Sequence, residues 1–159
     1  MKPLQGLILP CFFRGRAAYA LLALRLMVGA AFAIHGLPKI EHPTTWMDGT
    51  RSAGAFAPWL QAISAGAEFF GGIALFIGFA SQLATALICF DMFIATFIVE
   101  IPSGARFSVG AKPFELPLVY FSLTLALFLL GPGNFSVDSW IRTVRSLKQP
   151  RIRSLERTS

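Results

Sequence analysis

Four apolar runs, each close to the length needed to cross a lipid bilayer, constrain this chain more than any other feature. They cover residues 17–37, 57–79, 81–101 and 114–131, and a membrane-spanning helix needs about 20 mainly apolar residues. The composition agrees, because 55% of the 159 residues are hydrophobic and 14% are charged, whereas soluble domains carry about 25% charged residues. We therefore expect an all-α integral membrane protein, folded as an antiparallel bundle of four transmembrane helices.

The basic residues predict the orientation of this bundle. Nine lysines and arginines precede the first run or follow the fourth, whereas four lie in the first and third connections. Cytoplasmic segments of membrane proteins carry the excess of Lys and Arg, so both termini are expected in the cytoplasm. Residues 1–16 then form a cytoplasmic or interfacial segment, and residues 141–159 form a basic cytoplasmic tail. The net charge of +6 comes mainly from these ends and does not indicate nucleic-acid binding.

Charged residues inside the apolar runs are the first candidates for function. Arg25, Glu68 and Asp91 fall at similar predicted depths near the bilayer centre when helices are counted at about 1.5 Å per residue. Intramembrane charges are costly and usually pair inside a bundle, so we expect one central polar cluster. Two carboxyl groups against one guanidinium favour a shared proton. The cluster is therefore either a ligand or proton site, or an ion pair that only fixes the helices.

A second polar group is expected near the outer surface, beneath the loop of residues 38–58. Its members are His35, Lys39, Glu100, Glu115 and Tyr120. His35 and Lys39 are four residues apart and are therefore neighbours on one helical face. The functional interpretation is a site that opens outward under the loop. The alternative is a set of long side chains that extend toward the interface.

Glycines predict where the helices approach each other most closely. Gly29 and Gly36 share a face of the first helix, and Gly71, Gly72 and Gly78 form a stripe on the second. Small residues of this kind allow close helix contact in membranes. The glycine faces can pack within one chain or between chains, so a homo-oligomer is an open possibility.

Motifs for metals and common cofactors are not found in the sequence. The two histidines, His35 and His42, lack a helical metal spacing, and Cys11 and Cys89 lack the CxxC spacing. No metal site and no evident cofactor are expected from the residues themselves. Asp138, which follows "GPGNFSV", is expected to begin a short interfacial helix.

The order of these features resembles the DoxX family of small four-helix bacterial membrane proteins. The resemblance covers residues 17–140 and is carried by "RLMVGAAFAIHGLPKI", "AEFFGGIALFIGF", "FELPLVYFSL" and "GPGNFSVD". The positions that match the family's pattern are Arg25, Gly29, His35, Gly36, Lys39, Glu68, Gly71, Gly72, Glu115, Gly131, Gly133 and Asp138.

The resemblance implies a membrane subunit or accessory of a redox system in a bacterial inner membrane, at most part of an oxidoreductase complex. A protein partner from such a complex and a quinone ligand are then expected. Two other functions stay open on the residues alone. One is a small-solute or proton transporter that uses the central cluster, and the other is a non-catalytic anchor that recruits a partner through its basic tail.

Overall fold

The computed structural model describes residues 15–48, 56–110, 113–131 and 133–144. Over these ranges the regular secondary structure is helical, and no strand is present. The expected interfacial segment, apart from its last two residues, lies outside the described residues. The tail from residue 145 onward does so as well.

Four main helices follow one another in the chain. They are α1 (Arg16–Glu41), α2 (Pro58–Ile77), α3 (Ser81–Phe93, continued by a π-helix over Ile94–Glu100) and α4 (Glu115–Leu130). Residues 137–144 form a further short helix, α5. We call the end of the bundle that carries residues 42–48, 56–57, 101–110 and 113–114 the loop end. The opposite end, which carries residues 78–80, is the turn end.

Three of these helices are long and apolar enough to cross a membrane: α1, α2, and α3 with its π-helical continuation. The fourth, α4, is apolar but has 16 residues, which corresponds to about 24 Å against a hydrocarbon core of about 30 Å. The expected all-helical membrane architecture is therefore confirmed for the described residues, with three helices that meet the length of a span.

The first helix extends further than the first apolar run. The run was expected to end at Leu37, but α1 continues through Pro38 to Glu41. Proline has no backbone N–H and so removes one hydrogen-bond donor from a helix. Pro38 lies close to the end of α1, and the helix continues for about one turn beyond it. This extension keeps Lys39 on α1 and fixes the direction of its side chain.

The closest helix contact lies between α1 and α2. A Cβ atom built on Gly29 would lie 2.6 Å from the backbone nitrogen of Phe76, and one built on Gly36 would lie 2.5 Å from that of Phe69. No side chain fits at these distances, so the two helices pack backbone against backbone.

The glycine stripe of α2 contacts helices on both of its sides. A Cβ atom on Gly72 would overlap the backbone nitrogen of Ala33 on α1. Gly71, its neighbour, faces α3, where a Cβ atom would lie 3.3 Å from the Ile88 side chain. The paired glycines thus let α2 lie between α1 and α3.

The apolar core lies between the helices, and the outer faces are apolar as well. The core residues are Leu21, Val28, Phe32, Leu75, Ala84, Ile88, Met92 and Leu127. Other large apolar side chains point outward, such as Met27 and Ile34 on α1. A surface of this kind suits hydrocarbon rather than water.

The turn end is held by the segment that follows α4. Gly78 and Ala80 both have left-handed backbone conformations, with φ of 77° and 46°. The carboxylate of Asp138, at the start of α5, accepts hydrogen bonds from the backbone N–H groups of Ala80 and Ser81, both at 2.8 Å. Its own N–H donates to the Gly78 carbonyl at 3.0 Å. Asp138 thereby caps α3 from a distant part of the sequence.

Candidate functional site

The predicted central cluster does not form, because Arg25 lies apart from the two acids. Arg25 is buried at the turn end, where its guanidinium donates a hydrogen bond to the Phe135 carbonyl and lies near the Asp138 carboxylate. Glu68 and Asp91 lie together further toward the loop end. Arg25 therefore belongs to the structure that ties α5 to the turn.

The antiparallel register of α1 and α2 explains this correction. Gly36 lies opposite Phe69, so the next turn of α1 brings Lys39 level with Glu68. In the same register Arg25 reaches the turn between α2 and α3. Counting depths from the assumed ends of each apolar run could not reveal this relationship. Lys39, which the sequence places in the outer group, is thus the cation that lies with Glu68 and Asp91.

Lys39 and Glu68 form a short ion pair between α1 and α2. Lys39 Nζ lies 2.6 Å from Glu68 Oε1, and the side chains are 24% and 3% exposed, respectively. The ammonium group also lies 4.3 Å from the centre of the Trp46 ring, a distance typical of a cation–π contact. Within the described residues, the other oxygen, Glu68 Oε2, is buried and has no hydrogen-bond partner.

Asp91 completes the polar part of the site from α3. Its carboxyl group lies close enough to Glu68, Ser64 and Lys39 to interact with each of them. We call Lys39, Glu68 and Asp91 the polar trio. One ammonium group thus faces two carboxyl groups in a largely apolar environment.

A cavity of about 610 Å³ adjoins the polar trio and lies mainly between α2 and α3. This volume is within the range of small-molecule sites in proteins, which are typically apolar with a few polar groups. The apolar lining comes from both helices and includes Leu60, Ile63, Ala67, Leu87, Phe90 and Ile94. The cavity therefore combines a polar end with apolar walls.

The loop after α1 folds over the cavity at the loop end, as the sequence predicted. Trp46 Nε1 donates to the Gln61 carbonyl at 3.0 Å, and the Met47 N–H donates to Gln61 Oε1 at 3.2 Å. Gln61 Nε2 in turn donates to the Phe56 carbonyl at 3.2 Å. Gln61, which is 4% exposed, thus joins both ends of the loop to α2. We call Trp46, Met47 and Phe56 the roof of the cavity.

The five residues of the predicted outer group do not form one site. His35 makes an edge-to-face ring contact with Tyr120, with the ring centres 6.2 Å apart. Glu115 begins α4 and is exposed, whereas Glu100 lines the cavity from the end of the π-helix. Lys39 joins the polar trio.

The π-helical part of α3 contributes directly to the cavity wall. Ala95, Val99 and Glu100 lie in this segment and line the cavity. The wider hydrogen-bond spacing includes Ile101 N–H to the Thr96 carbonyl at 3.1 Å. Such segments are rare and occur frequently at functional sites.

An apolar layer separates the polar trio from Arg25. It is formed by Phe32 on α1, Leu75 on α2 and Ile88 on α3, which are 2%, 1% and 0% exposed. On each helix the layer residue lies between the polar groups of the two ends. All three belong to the same packed apolar core.

Within the described ranges, no group of three or more His, Cys, Asp and Glu side chains is arranged to hold a metal ion. His42 is exposed in the loop after α1. The thiol of Cys89 lies 4.0 Å from the Phe121 carbonyl oxygen.

Comparison with known proteins identifies the family of this chain. The DoxX family model matches residues 20–101. A protein of Haemophilus influenzae, described as an uncharacterized protein, is 28% identical over 123 residues, which are 76% of this chain and 90% of that protein. No solved structure matches the chain significantly. The matched residues include most of α1, all of α2 and α3, and the whole polar trio, and the chain belongs to the DoxX family.

Proposed function

We propose that this protein is a membrane subunit or accessory of a bacterial redox system and that it binds a quinone in the cavity beside the polar trio. The observation that carries the proposal is the pairing of an apolar cavity with the buried, ion-paired Glu68. A quinone has a mainly apolar body and carbonyl oxygens that accept hydrogen bonds. Those two properties match the walls and the polar end of the cavity.

The residues of the polar end have distinct tasks in this proposal. The Lys39 ammonium has three N–H donors, of which Glu68 takes one, so a second is free to donate to a ligand carbonyl. The buried Glu68 Oε2, which has no hydrogen-bond partner among the described residues, provides an acceptor. The roof keeps water from this end, which strengthens each of these interactions.

We further propose that the chain crosses the membrane four times and that both of its ends lie in the cytoplasm. Three helices meet the length of a span, and α4 is apolar and packs against α3. The loop end then faces away from the cytoplasm, in agreement with the excess of basic residues near the chain ends. Reporter fusions after residues 48, 80, 110 and 159 test this topology. A cytoplasmic signal from residue 48 or 110 would contradict it.

A transport function receives less support from the structure. A transporter of protons or solutes needs a polar path from one side of the membrane to the other. Between the polar trio and Arg25, the described helices instead pack Phe32, Leu75 and Ile88, which are buried and apolar. The anchor function depends on the basic tail, most of which lies outside the described residues.

Purification in native lipid, followed by extraction and identification of bound quinone, tests the proposed function. We expect quinone to accompany the wild-type chain. In Glu68→Gln and Lys39→Met the amount of bound quinone should fall about tenfold, which corresponds to about 1.4 kcal/mol of binding free energy. Glu41→Gln and Arg106→Gln change exposed charges away from the cavity and serve as matched controls. Quinone content that is equal in all five proteins, or absent from the wild type, would refute the proposal.

A further inference from the structure

The cavity is closed by protein on most sides but not on the side between α2 and α3. Its lining includes one residue of α1, Lys39, and one of α4, Pro117. On the remaining side the rim residues Ile63 and Phe90 are 59% and 65% exposed. No helix of the described part of the chain covers them, and in a membrane this side faces lipid.

The loop end offers a less direct route to the cavity. There the roof is held to Gln61 by three hydrogen bonds, and the Trp46 ring also contacts the Lys39 ammonium. A ligand from water would have to break several of these contacts. A ligand from the bilayer would only have to displace acyl chains, which are about as apolar as the rim side chains themselves.

We propose that the cavity takes its ligand sideways from the lipid phase, through the gap between α2 and α3. The ligand is an amphiphile with a single prenyl or acyl chain, whose head lies against Lys39 and Glu68 and whose chain leaves between Ile63 and Phe90. This inference rests on the proposed binding site, but it concerns the route and the chain rather than the quinone head.

The geometry favours a single chain over a two-chain lipid. Toward the turn end, α2 and α3 close against each other where Gly71 contacts Ile88. The opening is thus limited to the turns around Ala67 and Phe90 and the π-helical segment beyond them. One extended chain fits between two neighbouring helices at that level, and its apolar surface matches Leu60 and Leu87 on the rim.

Photolabelling of the full chain in lipid nanodiscs tests the route. Two probes carry the same photoreactive group on the same single alkyl chain: one ends in a quinone head, and the other is a fatty alcohol without that head. We expect the quinone probe to label α2 near Ile63 and α3 near Phe90. Labelling of the roof instead, with rim labelling absent, would overturn sideways access while leaving quinone binding intact.

The second probe separates this inference from the proposed function. Rim labelling by the fatty alcohol but not by the quinone probe would support the sideways route and refute the quinone. Rim labelling by neither probe would overturn the sideways route, whatever the quinone content of the purified protein.

Two isoleucine variants on the same helix provide the matched control. Ile63→Trp fills part of the gap and should lower labelling near Phe90 about tenfold, whereas Ile73→Trp, on an exposed part of α2 outside the cavity, should change it by less than about twofold. Equal effects of the two variants would contradict the assigned route. Far-UV circular dichroism verifies that both variants stay folded.

Discussion

Lys39 Nζ lies 2.6 Å from Glu68 Oε1, and this contact joins the last turn of α1 to the middle of α2. The Lys39 ammonium, near the end of α1, thereby pairs with a Glu68 carboxylate that lies among apolar residues. Asp91 adds a second acid from α3. The interactions of three helices with one ammonium group determine the chemistry of the cavity.

The ion pair should be strongly coupled energetically. Removing one partner of a buried pair leaves an uncompensated charge and costs about 3 kcal/mol or more, so Lys39→Met should lower the free energy of unfolding markedly. The double variant Lys39→Met/Glu68→Leu removes both charges and should recover a large part of the loss. Reversible unfolding in mixed micelles of the wild type, Lys39→Met, Glu68→Leu and the double variant measures the coupling, and strictly additive effects would contradict it.

The α1–α2 contact should not tolerate a side chain at Gly72. A Cβ atom there overlaps the Ala33 backbone. Gly72→Ala should therefore separate the helices and lower the free energy of unfolding by about 1–3 kcal/mol. Gly66→Ala is the matched control on the same helix, because its nearest neighbour is the Phe70 ring at 4.0 Å. That variant should be neutral or stabilising, since alanine favours helix over glycine by about 1 kcal/mol. Unfolding measurements on both variants check the difference.

Asp138 should stabilise the start of α3. Asp138→Ala removes both acceptors of the Ala80 and Ser81 N–H groups, and the loss of a helix cap costs about 1–2 kcal/mol. We expect faster hydrogen exchange at these two amides, and an intermediate effect in Asp138→Asn, which keeps one acceptor oxygen. Ser122→Ala, an exposed change on α4, should leave both exchange rates unchanged. Unaltered exchange in Asp138→Ala would disprove the capping role.

Trp46 should control access of water to Lys39. Trp46→Ala removes the hydrogen bond to Gln61 and the ring over the ammonium, which together contribute about 1.5–2 kcal/mol. Modification of Lys39 by a water-soluble amine reagent, followed by mass spectrometry, should then accelerate about tenfold. Trp46→Phe keeps a ring, so its rate of Lys39 modification should lie between those of the wild type and Trp46→Ala. Trp59→Phe, at an exposed position, should have no effect, and an equal acceleration there would contradict the roof assignment.

Much of the fold follows from sequence because local patterns determine it. Apolar length predicted the helices, the glycine stripes indicated the faces of α1 and α2 that meet, and the proline-containing loop was expected to cover one end. The polar site was harder to predict, since it depends on how far one helix is shifted along another. The partner of Glu68 is Lys39 rather than Arg25 because backbone contacts at Gly36 fix that shift. Aligning the two glycine stripes in antiparallel order would have provided the missing signal.

The cap on α3 illustrates a second limit of sequence reasoning. Asp138 was expected to begin a short helix, and α5 does include it. Its carboxylate, however, acts on Ala80 and Ser81, 57 or more residues away along the chain. A contact of that range leaves no periodic pattern in the sequence.

That contact also bears on the order in which the protein is made. Because synthesis proceeds from the N-terminus, Ala80 and Ser81 are made 57 or more residues before Asp138. The first amides of α3 must therefore find temporary partners, such as water at the membrane surface or the insertion machinery, until the chain is nearly finished. The hydrogen bonds of Asp138 thus act as a late closing step of assembly, and a nascent chain that ends before residue 138 inserts its helices without it.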